Sequence, residues 1–558
     1  MDVESTLLFV LAAVAVVVVL RWVAEKTGLP AAALMTVAGI AYALLPGPNV
    51  VLDPHIILTL VIPPLLYSAA LDSSLLAIRQ HLRTVISLSV LLVLATALLI
   101  GVGFQLWVTG ATLAAGIALG AAVAPPDPVA ALSVGRRVGL PPRVLTLIEG
   151  EGLLNDATAL TVLTVAVSAA TGHGYSTPWA LGRFVLSAVG GVVVGLAVAY
   201  AVRFVRRLRR DTMTLNAVSL ATPFLAYLIG EELHVSGVLA VVIAGLLIGH
   251  DSSRSVSGDY RMQVGAVWRL VDFLLEGLVF LLIGQQLPRV VEGLHQYETS
   301  TIVIASAITV GVVLVLRPLW LVLTQLLPRS LHMRLGGGDD VEQATDDDPA
   351  EERAAHVDQR LTGKELTALS WAGTRGVITL AAIFTLPRVT ESGEPFPDRN
   401  LLLFCAFLVV LVTLVGQGIT FGPLVRALGL RANAADQARI RNQARSAAVQ
   451  SGLDRLSEME LEDHDDVDDK AIAALRAQLE ARLARYRQRL DVLENAEIDI
   501  PYNPQYEAAV RVHRAVIDAE RDTLLRWRDV GRLPDSALRV LERELDHQEG
   551  LLPTRPNS

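Results

Sequence analysis

The stretch Glu149-Gly-Glu-Gly-Leu-Leu-Asn-Asp156 places acids and an amide inside a run, 144–170, that is otherwise mostly Leu, Val, Ala and Thr. Such a run reads as a membrane span, where each carboxylate costs at least ~2.5 kcal/mol to insert. A chain keeps acids at that depth when an ion or a proton must visit. A second apolar stretch holds Ala124-Pro-Pro-Asp127-Pro-Val-Ala130, an acid flanked by Pro126 and Pro128, which cannot continue a helix. A third holds Gly373-Thr-Arg-Gly376, a cation between glycines that loosen the helix. Asp127 lies where a broken helix would offer carbonyls and end dipoles to a small cation, and Asp156 lies in the next span with Asn155 beside it. Burial penalises a bare carboxylate, so one site holds either a proton or a metal ion, and that competition is all an exchanger needs. Glu151 and Asn155, four apart, share one helix face, and Gly152 and Asp156 share the neighbouring one. Arg375 needs a partner at membrane depth. Glu151 is the expected one. A Glu151–Arg375 structural ion pair would tie the two spans together and leave Asp127 and Asp156 for the ion.

These residues must be positioned by helices that cross a bilayer. The chain has 558 residues, 52% of them apolar, with a mean hydropathy of +0.48 and many uninterrupted apolar runs. That composition belongs to an all-α polytopic membrane protein. Spans of the ~20-residue length a bilayer demands are expected at 5–24, 30–46, 54–71, 84–108, 111–133, 143–170, 180–203, 213–230, 235–250, 264–288, 300–327, 364–386 and 400–427. The odd-numbered loops collect Arg21/Lys26, Arg79/Arg83, Arg136/Arg137/Arg143, Arg203–Arg210, Arg254/Arg261/Arg269 and Arg329/Arg334, whereas the even-numbered loops hold only Arg183, Arg289, Arg388 and Arg399. That bias predicts thirteen spans with the N-terminus outside and the C-terminus cytoplasmic. Asp2 and Glu4 precede the first apolar run and Arg21 and Lys26 follow it, the reverse of a secretory leader, so this run is expected to stay as a permanent span.

The breaks fall in the fifth and twelfth spans, seven apart and on opposite sides of a six–one–six division. Inverted six-helix repeats, with two broken helices crossing near the midplane, would have this arrangement. Residues 1–430 are thus the expected transmembrane domain. Residues 431–558 are an expected cytoplasmic helical tail, marked by Leu475, Leu479, Leu483 and Leu490 at helical spacing, with a regulatory role and a plain solvated bundle both open. The polar loop 328–363, with acids at Asp346–Asp348, is expected to be disordered, and the acids at Asp465–Asp469 are left with either a divalent-ion-sensing role or none. Glu149 is expected to be a solvated vestibule acid, and Glu276 and Arg317 structural residues able to pair with each other. Thr158 and Thr161 should bond back to their own helix, and Asp211 should cap a span. The single cysteine, Cys405, permits no internal disulfide. No metal-ligand cluster, phosphate-cradling loop or nucleophile–base arrangement is legible. An enzyme, a cofactor and a nucleic-acid partner are therefore not expected.

Pro-Asp-Pro at 126–128, Glu-Gly-Leu-Leu-Asn-Asp at 151–156 and Gly-Thr-Arg-Gly at 373–376 resemble the monovalent cation:proton antiporter-1 family. That family includes NhaP-type bacterial antiporters and animal NHE exchangers. The resemblance covers about residues 1–430 and not the tail. It implies thirteen spans, a homodimer built on the membrane domain, and an elevator-like movement of a six-helix core. It implies that Asp156 is the ion- and proton-binding acid with Asp127 assisting, the two holding Na+ as the transported ion. Asn155 before Asp156 is the pattern of electroneutral members, implying one proton per cation. Three positions depart from the pattern. Pro126 stands where many members have Thr, Gly152 where archaeal members have Ser, and Ser68 where relatives often have Glu, with Asp72 one turn away.

The expected function is exchange of Na+ (or Li+) for H+ across a bacterial plasma membrane, serving sodium and pH homeostasis. K+/H+ exchange on the same fold is the first alternative. A channel or a tail-driven sensor is the second, with the tail's ligand unassigned.

Overall fold

The computed structural model describes residues 3–45, 56–171, 177–208, 211–326, 361–390, 393–432, 434–461, 469–494, 504–530 and 532–550. The acidic segments at 336–348 and 465–468 lie outside these residues. Every regular element among the described residues is helical, apart from one isolated antiparallel bridge between Val389 and Pro395. The chain divides into two compact units, Met1–Arg431 and Ala432–Ser558.

The first unit begins with α1 (Val3–Thr27) and α2 (Ala31–Ala43), followed by α3 (Ile57–Asp72). Pro63 and Pro64 lack the N–H that would bond one turn back, and α3 widens to a π-turn at Ile57–Val61 just ahead of them. The short α4 (Leu75–Gln80) leads into α5 (Leu82–Trp107), which carries a π-helical stretch at Ser87–Leu91. The apolar stretch 111–133 is split, as its prolines predict: α6 (Leu113–Val123) stops and α7 (Pro128–Val138) starts afresh. Next come α8 (Pro142–Ala170), α9 (Thr177–Leu208), α10 (Thr212–Glu232), α11 (Gly237–Ser255), α12 (Gly258–Glu292) and α13 (Thr299–Leu326). The stretch 364–386 is likewise split, into α14 (Gly363–Trp371) and α15 (Val377–Phe384). The unit's last helix, α16 (Arg399–Leu428), is π-helical over Val412–Gln417.

Six of these helices are long and apolar enough to cross a membrane by length and composition, among them α5, α8 and α16. Their contacts rely on small residues, since lipid supplies no hydrophobic drive between helices. Gly39 of α2 and Gly284 of α12 meet backbone to backbone, and a Cβ on either would overlap the other chain segment. Asp211 caps α10, its carboxylate accepting from the Thr214 N–H at 2.9 Å and the Thr214 hydroxyl at 2.8 Å. Those two bonds hold its carboxyl below the usual carboxylate range. Thr158 and Thr161 bond back to the carbonyls of Leu154 and Ala157.

The second unit contains α17 (Ala434–Leu461), α18 (Asp469–Glu494), α19 (Pro504–Asp529) and α20 (Asp535–Gly550). Val449 and Leu456 of α17 and Leu483 and Leu493 of α18 are buried, whereas Leu475 of the expected stripe is exposed. Arg521 joins α19 to Asp546 and Glu549 of α20.

Candidate functional site

The two helix breaks meet. The Asp127 N–H donates to the Thr374 carbonyl at 2.6 Å, and the Thr374 hydroxyl donates back to the Asp127 carbonyl at 3.0 Å. Backbone groups freed by Pro125, Pro126 and Pro128 on one strand of chain are thus satisfied by those freed around Gly373 and Gly376 on the other. Asp127 is also the N-cap of α7, its Oδ1 accepting from the Val129 N–H at 3.0 Å. The N–H of Val377, the first residue of α15, bonds the same carboxylate. Asp127 therefore sits on the positive ends of two half-helices at once. Gly376 makes room for it: a Cβ there would overlap Oδ2 of Asp127.

Arg375 answers the opposite end. Its Nε donates at 2.6 Å to the carbonyl of Val123, the last residue of α6, and its Nη1 donates at 2.5 Å to the Gly373 carbonyl. Its backbone N–H donates to Thr413 Oγ1 at 2.9 Å, in the π-helical stretch of α16. A cation on carbonyls left open at a helix C-terminus is favourable both as a cap and against the helix dipole.

The structure corrects the expected Glu151–Arg375 pair. Glu151 is held instead by Arg317 of α13: Nη1 bonds Oε1, Nη2 bonds Oε2 at 2.8 Å, and Nε donates to the Leu369 carbonyl at 3.1 Å. Glu151 and Arg317 are 1% and 3% exposed, so this is a fully buried, two-pronged pair. Arg375 lies within electrostatic reach of both, but its hydrogen bonds go to backbone. The reason is geometric. The break in α6 leaves the Val123 carbonyl within hydrogen-bond reach of Arg375, while the Arg317 guanidinium meets both carboxylate oxygens of Glu151. Arg317 is accordingly not the partner of Glu276. Sequence reasoning had one signal for this, a mid-span arginine before Pro318, but nothing in the spacing paired it with Glu151.

Asn155 is completely buried, and its Nδ2 donates to the Pro126 carbonyl at 3.0 Å while its Oδ1 has no hydrogen-bond partner. Asp156, 4% exposed, lies within electrostatic reach of Asp127 and makes no hydrogen bond to the described residues. Gly152 is explained by packing. A side chain there would strike the Pro128 ring, so the glycine lets α8 lie directly on α7. Glu149 is not the freely solvated acid expected of a vestibule: it pairs with Arg136 of α7 at 2.7 Å and is mostly covered.

Ser89 and Asp272, which the sequence did not single out, complete the surroundings together with Ser68, Asp72 and Glu276. Ser89 Oγ of α5 donates to the Glu151 carbonyl at 3.1 Å. Ser68 Oγ of α3 donates to Asp272 Oδ2 of α12 at 2.5 Å. Asp72 lies within electrostatic reach of Asp272, and Glu276, one turn further along α12, within reach of Asp127, Arg21 and Asp272. An acid thus stands beside the Ser68 position, supplied by a different helix. Among the described residues no group of three or more His, Cys, Asp or Glu side chains could hold a metal ion as a resident cofactor.

Comparison with known proteins agrees with this architecture. Residues 12–427 match the family described as sodium/hydrogen exchanger, transmembrane. An uncharacterized Na(+)/H(+) exchanger of Mycobacterium tuberculosis is 30% identical over 97% of this chain and 95% of its own length. A sodium, potassium, lithium and rubidium/H(+) antiporter of Bacillus subtilis is 31% identical over 69% of this chain and 56% of its own. Among solved structures, the sodium proton antiporter MjNhaP1 of Methanocaldococcus jannaschii covers 77% of this chain and 99% of its own, with a TM-score of 0.59 at 18% identity, a likeness of fold. With a two-break crossing inside a membrane-embedded, all-helical unit and a family match across that unit, the chain belongs to the sodium/hydrogen exchanger family of monovalent cation:proton antiporters.

Proposed function

We propose that the chain exchanges Na+ (or Li+) for H+ by electroneutral alternating access, with Asp156 as the acid that carries proton or cation in turn. One observation supports this above the others. Among the charged groups at the crossing, Asp127, Glu151 and Arg375 have hydrogen-bond partners in the chain, whereas Asp156 is buried with none among the described residues. A buried carboxylate without a partner calls for a proton or a metal ion. Asp127 assists as the neighbouring charge, and Asn155, whose Oδ1 has no hydrogen-bond partner, offers a neutral oxygen on the same helix turn.

The membrane domain, about residues 1–430, forms a homodimer in a bacterial plasma membrane, N-terminus outside and C-terminus inside, with thirteen spans in two inverted repeats and an elevator-like movement of the core. Protons entering from outside load Asp156 and are displaced by cytoplasmic cation after reorientation, which serves sodium and pH homeostasis. No cofactor takes part. The tail, 431–558, is read as regulatory.

K+/H+ exchange on the same fold is a second reading. It draws on Pro126 and Gly152, which present no side-chain oxygen, and on the Bacillus subtilis relative, whose name includes potassium. A channel is disfavoured, because a passive pore has no need for a buried proton-binding acid in a closed crossing.

The test is the internal pH of proteoliposomes loaded acidic and pulsed with Na+, Li+ or K+. Alkalinisation that persists with the voltage clamped at zero, and is lost in Asp156→Asn, is the expected outcome and ranks the ions. No pH change with any cation would sink the proposal.

A further inference from the structure

A second buried charge lies outside the crossing. Arg206, in the last turns of α9, is 7% exposed. Its Nη2 donates to the Tyr260 hydroxyl at 3.2 Å, and the guanidinium lies 5.4 Å from the centre of the Tyr260 ring. Its Nη1 is buried with no hydrogen-bond partner, and no carboxylate among the described residues pairs with it. The nearby acids are otherwise placed: Asp251 pairs with Arg203 at 3.5 Å, and Asp259 is exposed. Tyr67 of α3, fully buried and within electrostatic reach of both Arg206 and Tyr260, adds another hydroxyl.

A guanidinium removed from water without a counter-charge is an uncompensated buried ion, and such an ion costs far more than a paired one. The groups around it are donors. The Nη1 hydrogens are unused, and the Tyr260 hydroxyl accepts from Arg206 and keeps its own proton to give. Convergent donors without an acceptor are the complement of an anion, and the planar guanidinium matches a phosphate's oxygens in particular. Arg206 also lies in the arginine cluster 203–210, where a membrane helix ends and headgroups begin.

We infer that Arg206 and Tyr260, at the arginine-rich end of α9 and α12, form a binding site for a phosphate-type anion, supplied by an anionic lipid headgroup or by free phosphate. Such a ligand binds only the folded protein and therefore stabilises it by mass action.

The experiment is the thermal midpoint of purified full-length protein in detergent, with phosphatidylglycerol, phosphatidylcholine or inorganic phosphate added. For wild type, an anion at saturation should raise the midpoint by about 3 °C, with phosphatidylcholine inert. Arg206→Gln should abolish the rise and Tyr260→Phe should reduce it, while Arg207→Gln, an exposed neighbour, should keep it. A rise with phosphatidylglycerol alone assigns the anion to lipid, and an equal rise with inorganic phosphate assigns it to the free ion. If Arg206→Gln does not fold, Tyr260→Phe, which keeps the charge, carries the comparison. No rise in wild type, or a rise unchanged in the folded variants, would overturn the assignment.

Discussion

Replacing Arg317 by methionine removes both prongs from Glu151 and the Nε bond to the Leu369 carbonyl, leaving the carboxylate in a site 1% exposed. Breaking one partner of a buried ion pair costs about 3–5 kcal/mol, because the survivor is left charged and dry. Removing both partners together is far cheaper, so Glu151→Leu/Arg317→Met should recover about 2–3 kcal/mol of that loss. Arg375→Met gives a different pattern. It strips two charge-assisted bonds to carbonyls, at about 1.5–3 kcal/mol each, so the single variant is damaged as badly as Arg317→Met. Adding Glu151→Leu should rescue little, since Glu151 supplies none of those bonds. The single substitutions therefore look alike and the double-mutant cycles do not. Thermal midpoints in detergent for the three single variants, Glu151→Leu included, and the two double variants, each checked for monodispersity, read the coupling. Strong coupling of Glu151 to Arg375 and none to Arg317 would refute the assignment of the pair and restore the one expected from sequence.

Gly152→Ser should push against the Pro128 ring, open the α7–α8 contact, and lower cation affinity measured as half-maximal concentration in proteoliposomes; an unchanged affinity would mean the two helices separate without cost to the site. Gly376→Ala should displace the Asp127 carboxylate from the α15 N-terminus and cut transport at least tenfold while the protein still assembles, read as initial rate per reconstituted protein. Ser68→Ala removes a bond to Asp272 and should change rate about twofold or less, whereas Ser68→Glu places a second carboxylate against the first and should impair transport strongly unless combined with Asp272→Asn. Equal behaviour of Ser68→Ala and Ser68→Glu would show that Asp272 and Ser68 are not coupled.

Much of this arrangement was legible from residue types alone. Prolines around Asp127 and glycines around Arg375 forecast two broken helices, because proline withholds an N–H and glycine loosens the turn wherever they stand. The apolar runs forecast where helices lie for the same local reason. Partner choice was not legible. Arg317 and Glu151 are 166 positions apart, and which of two mid-span arginines reaches a given glutamate depends on how α13 and α15 pack on α8. The role of Asp272 was hidden likewise, since its meaning comes from facing Ser68 across 204 positions. Gly152 carries a second meaning that the sequence did not show. It departs from the family pattern by lacking a hydroxyl, and its contact with Pro128 also makes it a packing requirement.

The charges at the crossing bear directly on stoichiometry. Glu151 and Arg317 cancel within one pair. Asp127, on the N-termini of α7 and α15, and Arg375, on the C-terminus of α6, carry opposite charges and answer opposite helix dipoles, so together they add nothing net. Glu276 has Arg21 within electrostatic reach. At the crossing, Asp156 is left without a hydrogen-bond partner among the described residues. One carboxylate charge remains to be neutralised by whatever enters, and either one proton or one monovalent cation does so completely. Two protons would require a second acid at the crossing to give up its partners, or Asp272 of α12, whose Oδ1 is buried with no hydrogen-bond partner, to take part. Asn155, neutral and spent on the Pro126 carbonyl, cannot be that acid, and Asp127 could become it only by losing its bonds from Val129 and Val377. The proposed exchange of one proton for one cation rests on this count of charges at the crossing. It makes a sharp demand on Asn155→Asp: a second carboxylate at that position should turn an exchange without current into one that responds to voltage, and a variant that stays electroneutral at full rate would show that the charge at 155 does not set the count.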